Sequence, residues 1–174
     1  MSTFEPWLNS AETGEAFTHC IHCKLPLLEI DSTWLINKDF HKGECTLEYA
    51  ICDGCRELTS EDFSEDSKKA VRNFLENEIP WDERLQKFVL HPLSRMENCV
   101  ACNCPRELAE DYATSILMDS AGEIHFGPLP LLICGGCIEL MSERLSQSTR
   151  DSWRRFLEEH FDYPPQLSSL PGLL

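Results

Sequence analysis

The sequence predicts an α+β chain made of two tandem copies of one metal-stapled unit. Three observations predict it: four Cys-x-x-Cys pairs in two sets, an internal repeat around the second pair of each set, and strand-then-helix patterning in both copies. Cys20/Cys23 is followed after 28 residues by Cys52/Cys55, and Cys99/Cys102 after 31 residues by Cys134/Cys137. Two such pairs offer four soft thiolates to one tetrahedral ion, which is the signature of a zinc site. The predicted ligands are Cys20, Cys23, Cys52 and Cys55 for one Zn2+, and Cys99, Cys102, Cys134 and Cys137 for a second.

The repeat is clearest over residues 52–76 and 134–158. Both follow C-x-G-C-x-E-L-x-S-E-x-x-S and end in R-x-F-L-E, with twelve of 25 positions identical and no gap. Internal duplication follows. Upstream, 33–37 aligns with 115–119 as a first strand, followed by a polar turn at Lys38-Asp39 in one copy and Ser120-Ala121-Gly122 in the other. Second strands are expected at 47–51 and 129–133, where Pro128 and Pro130 mark an edge strand or a loop.

After each second pair the pattern turns helical. Ser64 and Ser148 are the expected N-caps, and 148–151 has the form of a capping box. Ala70, Val71, Phe74, Leu75 and Ile79 make a stripe at helical spacing, and Trp153, Phe156, Leu157 and Phe161 make another. Both are read as core, with a binding groove as the alternative. The second pair opens the helix, where free backbone N–H groups and the helix dipole favour thiolate. Gly54 and Gly136 are expected to let backbone amides approach the sulfurs. Knuckle, hairpin, second pair, helix is the order of a treble-clef zinc finger.

The organisation predicted is an N-terminal extension (1–15), a first zinc-binding repeat (16–80), a linker (81–95), a second repeat (96–162) and a Pro/Leu-containing tail (163–174). The linker carries a short helix over 81–90 that His91-Pro92 would end. The tail reads as a loose terminus or as a peptide that docks on a groove.

The sequence stretches around the second pairs resemble a known family. Tyr49-Ala50-Ile51-Cys52-Asp53-Gly54-Cys55-Arg56-Glu57-Leu58, and its counterpart around Cys134 and Cys137, are similar to the second knuckle of the ClpX-type N-terminal zinc-binding domain. The resemblance covers about ten residues per copy and implies a four-cysteine treble clef whose second pair leads into an E-L-containing helix. It implies the same two ligand sets. Those domains dimerise and recruit substrates or adaptors, so a chain with two copies is expected to form an intrachain pseudo-dimer. The loop between the pairs is longer here, and no G-x-x-x-x-G-K-[ST] of an ATPase occurs.

Charge narrows the function. Fifteen basic and 30 acidic residues give a formal charge of -15 over 174 residues, before thiolates are counted. That balance argues against nucleic acid and anionic membranes and suits a basic protein partner, or solubility alone. No apolar run approaches the ~18 residues of a membrane span. The N-terminus is acidic without an apolar core, so ten cysteines are expected to be reduced and the chain cytoplasmic.

Cys45 and Cys104 are left over. Cys104 could replace a neighbouring ligand or stand by, and Cys45 reads as an ordinary thiol. His19 and His22 flank the first pair and read as ligands, as donors to sulfur, or as exposed polar residues. His41 and His125 fall in the two hairpins without aligning. Four cysteines close the metal shell, whereas a catalytic zinc keeps an open position. Neither H-E-x-x-H nor the zinc-deaminase signature occurs. A redox dithiol is the rival, although thioredoxin-like pairs sit in a βαβ pattern.

The expectation is therefore a non-enzyme with no catalytic residues: a zinc-stabilised protein-protein interaction module, adaptor or regulatory. The alternatives are a nucleic-acid-binding zinc-finger regulator using Lys68, Lys69, Arg72, Arg150, Arg154 and Arg155, or a zinc or thiol enzyme.

Overall fold

The computed structural model describes residues 4–164. Its architecture is α+β, with four antiparallel strands and six helices among the described residues. The docking role considered for the tail falls outside the described residues from 165 onward.

Each copy begins with a knuckle of the same backbone form. Lys24 and Asn103 both take φ 64°. Cys20 N–H donates to Leu25 O (3.0 Å) and Cys99 N–H to Cys104 O (2.8 Å). A 3-10 turn follows in each, Leu27–Glu29 and Arg106–Leu108.

The hairpins come next: β1 (Trp34–His41) with β2 (Glu44–Cys52), and β3 (Asp111–Met118) with β4 (Leu131–Cys134). Lys38-Asp39 is not a turn. β1 runs through it, and the reversal falls at Lys42-Gly43, with φ 50° and 82° as a two-residue hairpin turn requires. Lys38 stays in the strand because its charge is satisfied inside: it is 1% exposed and pairs with Glu48 at 3.2 Å. Ser120-Ala121-Gly122 does turn, with Gly122 N–H donating to Asp119 O at 3.0 Å.

The strand order is β2-β1-β3-β4. β1 and β3 pair from Trp34↔Met118 to His41↔Asp111, so both copies share one continuous sheet. The register corrects the alignment of 33–37 with 115–119. Trp34 lies opposite Cys52, and Tyr112 lies opposite Cys134. The second copy thus holds four more residues between paired positions (112 to 134, against 34 to 52), taken up by the loop before β4. β4 starts after Pro130 and is an edge strand, where a missing N–H costs no ladder bond. The knuckles cover both edges: Ile21 N–H donates to Ala50 O and Val100 N–H to Leu132 O, each at 2.8 Å.

One sheet face packs under the helices, where Tyr49 lies 6.4 Å from the Phe156 ring. At its centre Asn37 and Ser115 stand in register across the two copies. Ser115 Oγ donates to Asn37 Oδ1 (2.6 Å), whose amide donates to Tyr49 OH (2.8 Å). The N-terminal segment lies against the other face. Trp7, in α1 (Glu5–Leu8), meets Phe40 edge-on at 5.6 Å, and Phe40 stacks on Tyr112 at 4.7 Å. Lys38 Nζ donates to Asn9 O, and Glu48 accepts from Ser10 Oγ and Ala11 N–H.

The helical stretch after each second pair is two helices, not one. α2 (Asp53–Glu61) and α5 (Gly135–Glu143) follow directly on Cys52 and Cys134. α3 (Glu65–Asn73, extended by a π turn at Phe74–Glu78) and α6 (Gln147–His160) then restart at serine caps. Ser64 caps α3 as expected, accepting from Ser67 N–H at 3.1 Å. The second cap is Ser146 rather than Ser148, accepting from Thr149 N–H at 3.2 Å. Tertiary pairing selects it. Ser64 N–H donates to Thr149 Oγ1 and Ser146 N–H to Ser67 Oγ, both at 2.9 Å, so the two helix starts meet head to head.

α4 (Trp81–Leu90) occupies the stretch between the copies and ends at His91. Its Arg84 and Phe88 are buried. Phe74, Ile79, Trp153, Phe156 and Leu157 join the core, whereas Ala70, Val71, Leu75 and Phe161 are half-buried. No helix of the described residues is long and apolar enough to cross a membrane.

Candidate metal centres

The two knuckles and the two helix starts converge on two sulfur clusters. Cys20, Cys23, Cys52 and Cys55 form one and Cys99, Cys102, Cys134 and Cys137 the other, with all ligand atoms of a cluster within 4.8 Å of one another. Cys23 Sγ lies 4.0 Å from Cys52 Sγ, and Cys102 Sγ lies 3.6 Å from Cys134 Sγ. Tetrahedral zinc with Zn–S bonds of ~2.3 Å sets its sulfurs about 3.8 Å apart, so the spacing fits one four-coordinate ion per cluster. All ten cysteines are free thiols.

Local structure places each sulfur. Cys52 and Cys134 are the N-cap residues of α2 and α5, which brings Cys55 and Cys137 into the first turn beside free N–H groups. Cys20 and Cys99, fully buried, accept from the amides of Cys52 (3.4 Å) and Cys134 (3.3 Å). The fourth position differs: Cys23 is half-buried and Cys102 is exposed.

The glycines inside the second pairs do not act as expected. A side chain at Gly54 would meet nothing within 4 Å, and one at Gly136 would come no closer than 4.0 Å to Cys134 Sγ. The close approach is at Gly135, where a Cβ would stand 2.8 Å from Asp111 Cβ, at the start of β3. Its counterpart in the first copy is Asp53.

Electrostatics within the clusters is lopsided. Burial pushes the Cys20 thiol up, but amide N–H groups of Cys52, Cys23 and His22 outweigh it and bring it down to about 7. Burial, reinforced by the neighbouring sulfurs, pushes Cys55 above the ordinary thiol range. In the second cluster, hydrogen bonds from Cys134 and Cys137 hold Cys99 low, and Cys134 and Cys99, with burial, drive Cys137 up. One thiolate thus suppresses ionisation of the others; all four ionise together only around a cation.

The remaining candidates stand apart from the sulfur clusters. Cys104 takes the knuckle position of Leu25 and directs its thiol to Pro105 O at 3.5 Å. Cys45 is pushed up to about 11 by burial and by the Glu48 carboxylate. His19 is exposed and bonds Thr18 at 2.8 Å. His22 lies 3.2 Å from His160 across the copies. His41 pairs with Asp111 at 2.7 Å, and His125 joins the turn after β3 through its backbone.

One supporting residue carried no sequence signal. Buried Arg84 donates from Nε to Val100 O (2.8 Å) and from Nη2 to Ala101 O (3.2 Å), between Cys99 and Cys102. An arginine in a linker helix reads as solvated surface until the fold turns it inward.

No protein-family model, curated protein or solved structure matches this chain.

Proposed function

We propose that this chain is a non-enzymatic protein-protein interaction module, adaptor or regulatory, folded around two structural zinc ions. The observation that carries it is the pair of closed four-sulfur shells, which leave no open position for substrate or water. Each copy then acts as a treble-clef-like unit, and the shared sheet makes the two an intrachain pseudo-dimer of the kind the ClpX-type resemblance implies. Zinc supplies folding free energy on the order of 10 kcal/mol per site. The surface it rigidifies is what a partner binds. The excess of 30 acidic over 15 basic residues favours a partner with a basic face and disfavours nucleic acid.

The test joins metal analysis to capture. Purified chain should carry two zinc ions, lose its circular dichroism on strong chelation, and release cross-linkable protein partners when it does. A chain that keeps its spectrum and its partners after metal removal would refute this proposal.

A further inference from the structure

The two copies differ at one place in the helical layer. Counted from their caps, Ser64 and Ser146, α3 and α6 align without a gap, and so do α2 and α5. At two inward positions the first copy has Arg56 and Val71 where the second has Ile138 and Trp153. Ile138 and Trp153 are each 6% exposed. In the first copy a groove of about 320 Å³ opens instead, floored by Phe63, Val71, Leu75 and Leu145. That is the small end of the ~300–1,000 Å³ of ligand pockets, a size for one large side chain rather than for a cofactor.

Its lining is richer in cations than the rest of the molecule. On a chain of net charge -15, the groove is lined by Arg56, Lys68 and Arg72 against a single carboxylate, Glu57. Arg56 is paired with Asp53 at 2.5 Å and Lys68 with Glu65 at 3.3 Å. Arg72 makes no ion pair among the described residues. Its counterpart Arg154 pairs with Glu158 at 3.1 Å. The π turn at Phe74–Glu78 interrupts the α repeat between Arg72 and Glu76, the positions equivalent to that pair. Such π segments accumulate at functional sites.

We infer that this groove is a docking site for an acidic peptide segment carrying one large apolar side chain. The side chain takes the volume that the Trp153 indole occupies in the second copy. The segment's carboxylates meet Arg72 first, then compete with Asp53 and Glu65 for Arg56 and Lys68, within the screening length of about 8 Å at physiological salt. The inference rests on the protein-binding reading and departs from it in one respect: the segment entering the groove is acidic, while the acidic remainder of the surface still favours basic groups elsewhere on the partner.

The experiment titrates fluorescein-labelled peptide EEDFADEE into the zinc-loaded full chain and follows anisotropy. Saturable binding is expected, with EEDAADEE and the charge-reversed KKKFAKKK each weaker by about tenfold or more. Val71→Trp, which fills the groove as the second copy does, should abolish binding while keeping two metal ions and the parent circular dichroism. Arg72→Glu, an exposed change that leaves the fold alone even if Val71→Trp does not, should weaken binding about tenfold. Absence of saturable binding by the parent, or equal binding by Arg72→Glu and the parent, overturns the inference. A cross-linked native partner still captured by folded Val71→Trp removes the groove but leaves the protein-binding reading intact. A parent chain whose partners are indifferent to chelation removes that reading itself.

Discussion

The first copy and the second fold on the same plan but are braced differently. Both have a left-handed knuckle residue, a fully buried first cysteine, a sulfur accepting the amide of the second pair, and a serine-capped second helix. The second copy adds Arg84 behind its knuckle, Gly135 under β3, and Trp153 stacked on Phe156 at 5.0 Å. Arg95 also reaches Pro130 O at 3.0 Å from the segment after α4. The first copy has the N-terminal segment clamped through Glu48 and keeps an open groove beside α3. Duplication thus supplies the frame twice, and once the second copy is packed tight the first is free to diverge at its surface.

The largest effect should separate the copies by their metals. Cys20→Ser and Cys99→Ser should each drop the zinc content from two to one. Each forfeits on the order of 10 kcal/mol of binding-linked folding free energy, so unfolding of the affected copy should appear in circular dichroism. If both variants lose both ions together, the shared sheet makes one cooperative unit and the comparison collapses.

Acid should release the ions. Cys20 is held down to about 7, so its thiolate is present above that pH and is lost as pH falls through it. Protons then displace metal, with apparent affinity falling roughly a hundredfold over two pH units for one competing proton. Cys99 is likewise held low, while Cys137 of the same cluster is driven up, so protons return to both clusters as pH falls and both ions should leave. A zinc-responsive dye followed down a pH ramp would report two zinc ions released per chain.

Arg84→Ala leaves the buried carbonyl of Val100 and the half-buried one of Ala101 without their donor. A loss of about 2–3 kcal/mol is expected in urea unfolding, with faster zinc release from one site of two. Equal acceleration at both sites would show that α4 braces the whole molecule.

The serine caps probe the symmetry directly. Ser67→Ala and Thr149→Ala each remove a hydroxyl that accepts from the opposite copy, and each should cost about 1–2 kcal/mol. Because the bonds are reciprocal, the double variant should cost less than the sum of the singles. Smallest of all, Cys104→Ser should leave two zinc ions and move stability by under about 0.5 kcal/mol, since its thiol points away from the cluster.

The two four-cysteine clusters were legible in the spacing because four thiolates converging on one point admit few arrangements, and the cysteines have no other strong signal. Strands were legible at 33–37, 47–51 and 115–119 as short apolar runs, but the observed strands run longer, over Trp34–His41, Glu44–Cys52 and Asp111–Met118. Lys38 was misread because a lysine signals a turn, whereas here Glu48 and Asn9 O take its charge into the interior. The strand alignment slipped by four residues because the longer loop before β4 lies between the motifs that anchored it.

The sequence by itself determined the grouping of eight cysteines into two sets of four, the repeat, and the strand-then-helix order within each copy. Those depend on residue type and short spacing, which local chemistry fixes. Only the tertiary structure decided that β1 and β3 join the copies in one sheet, that Ser146 rather than Ser148 is the cap, and that Arg84 serves a knuckle. It also decided that one helix stripe is core while its twin borders a groove. Each of those rests on partners far apart in the chain, and a single sequence carries no record of which distant groups will meet.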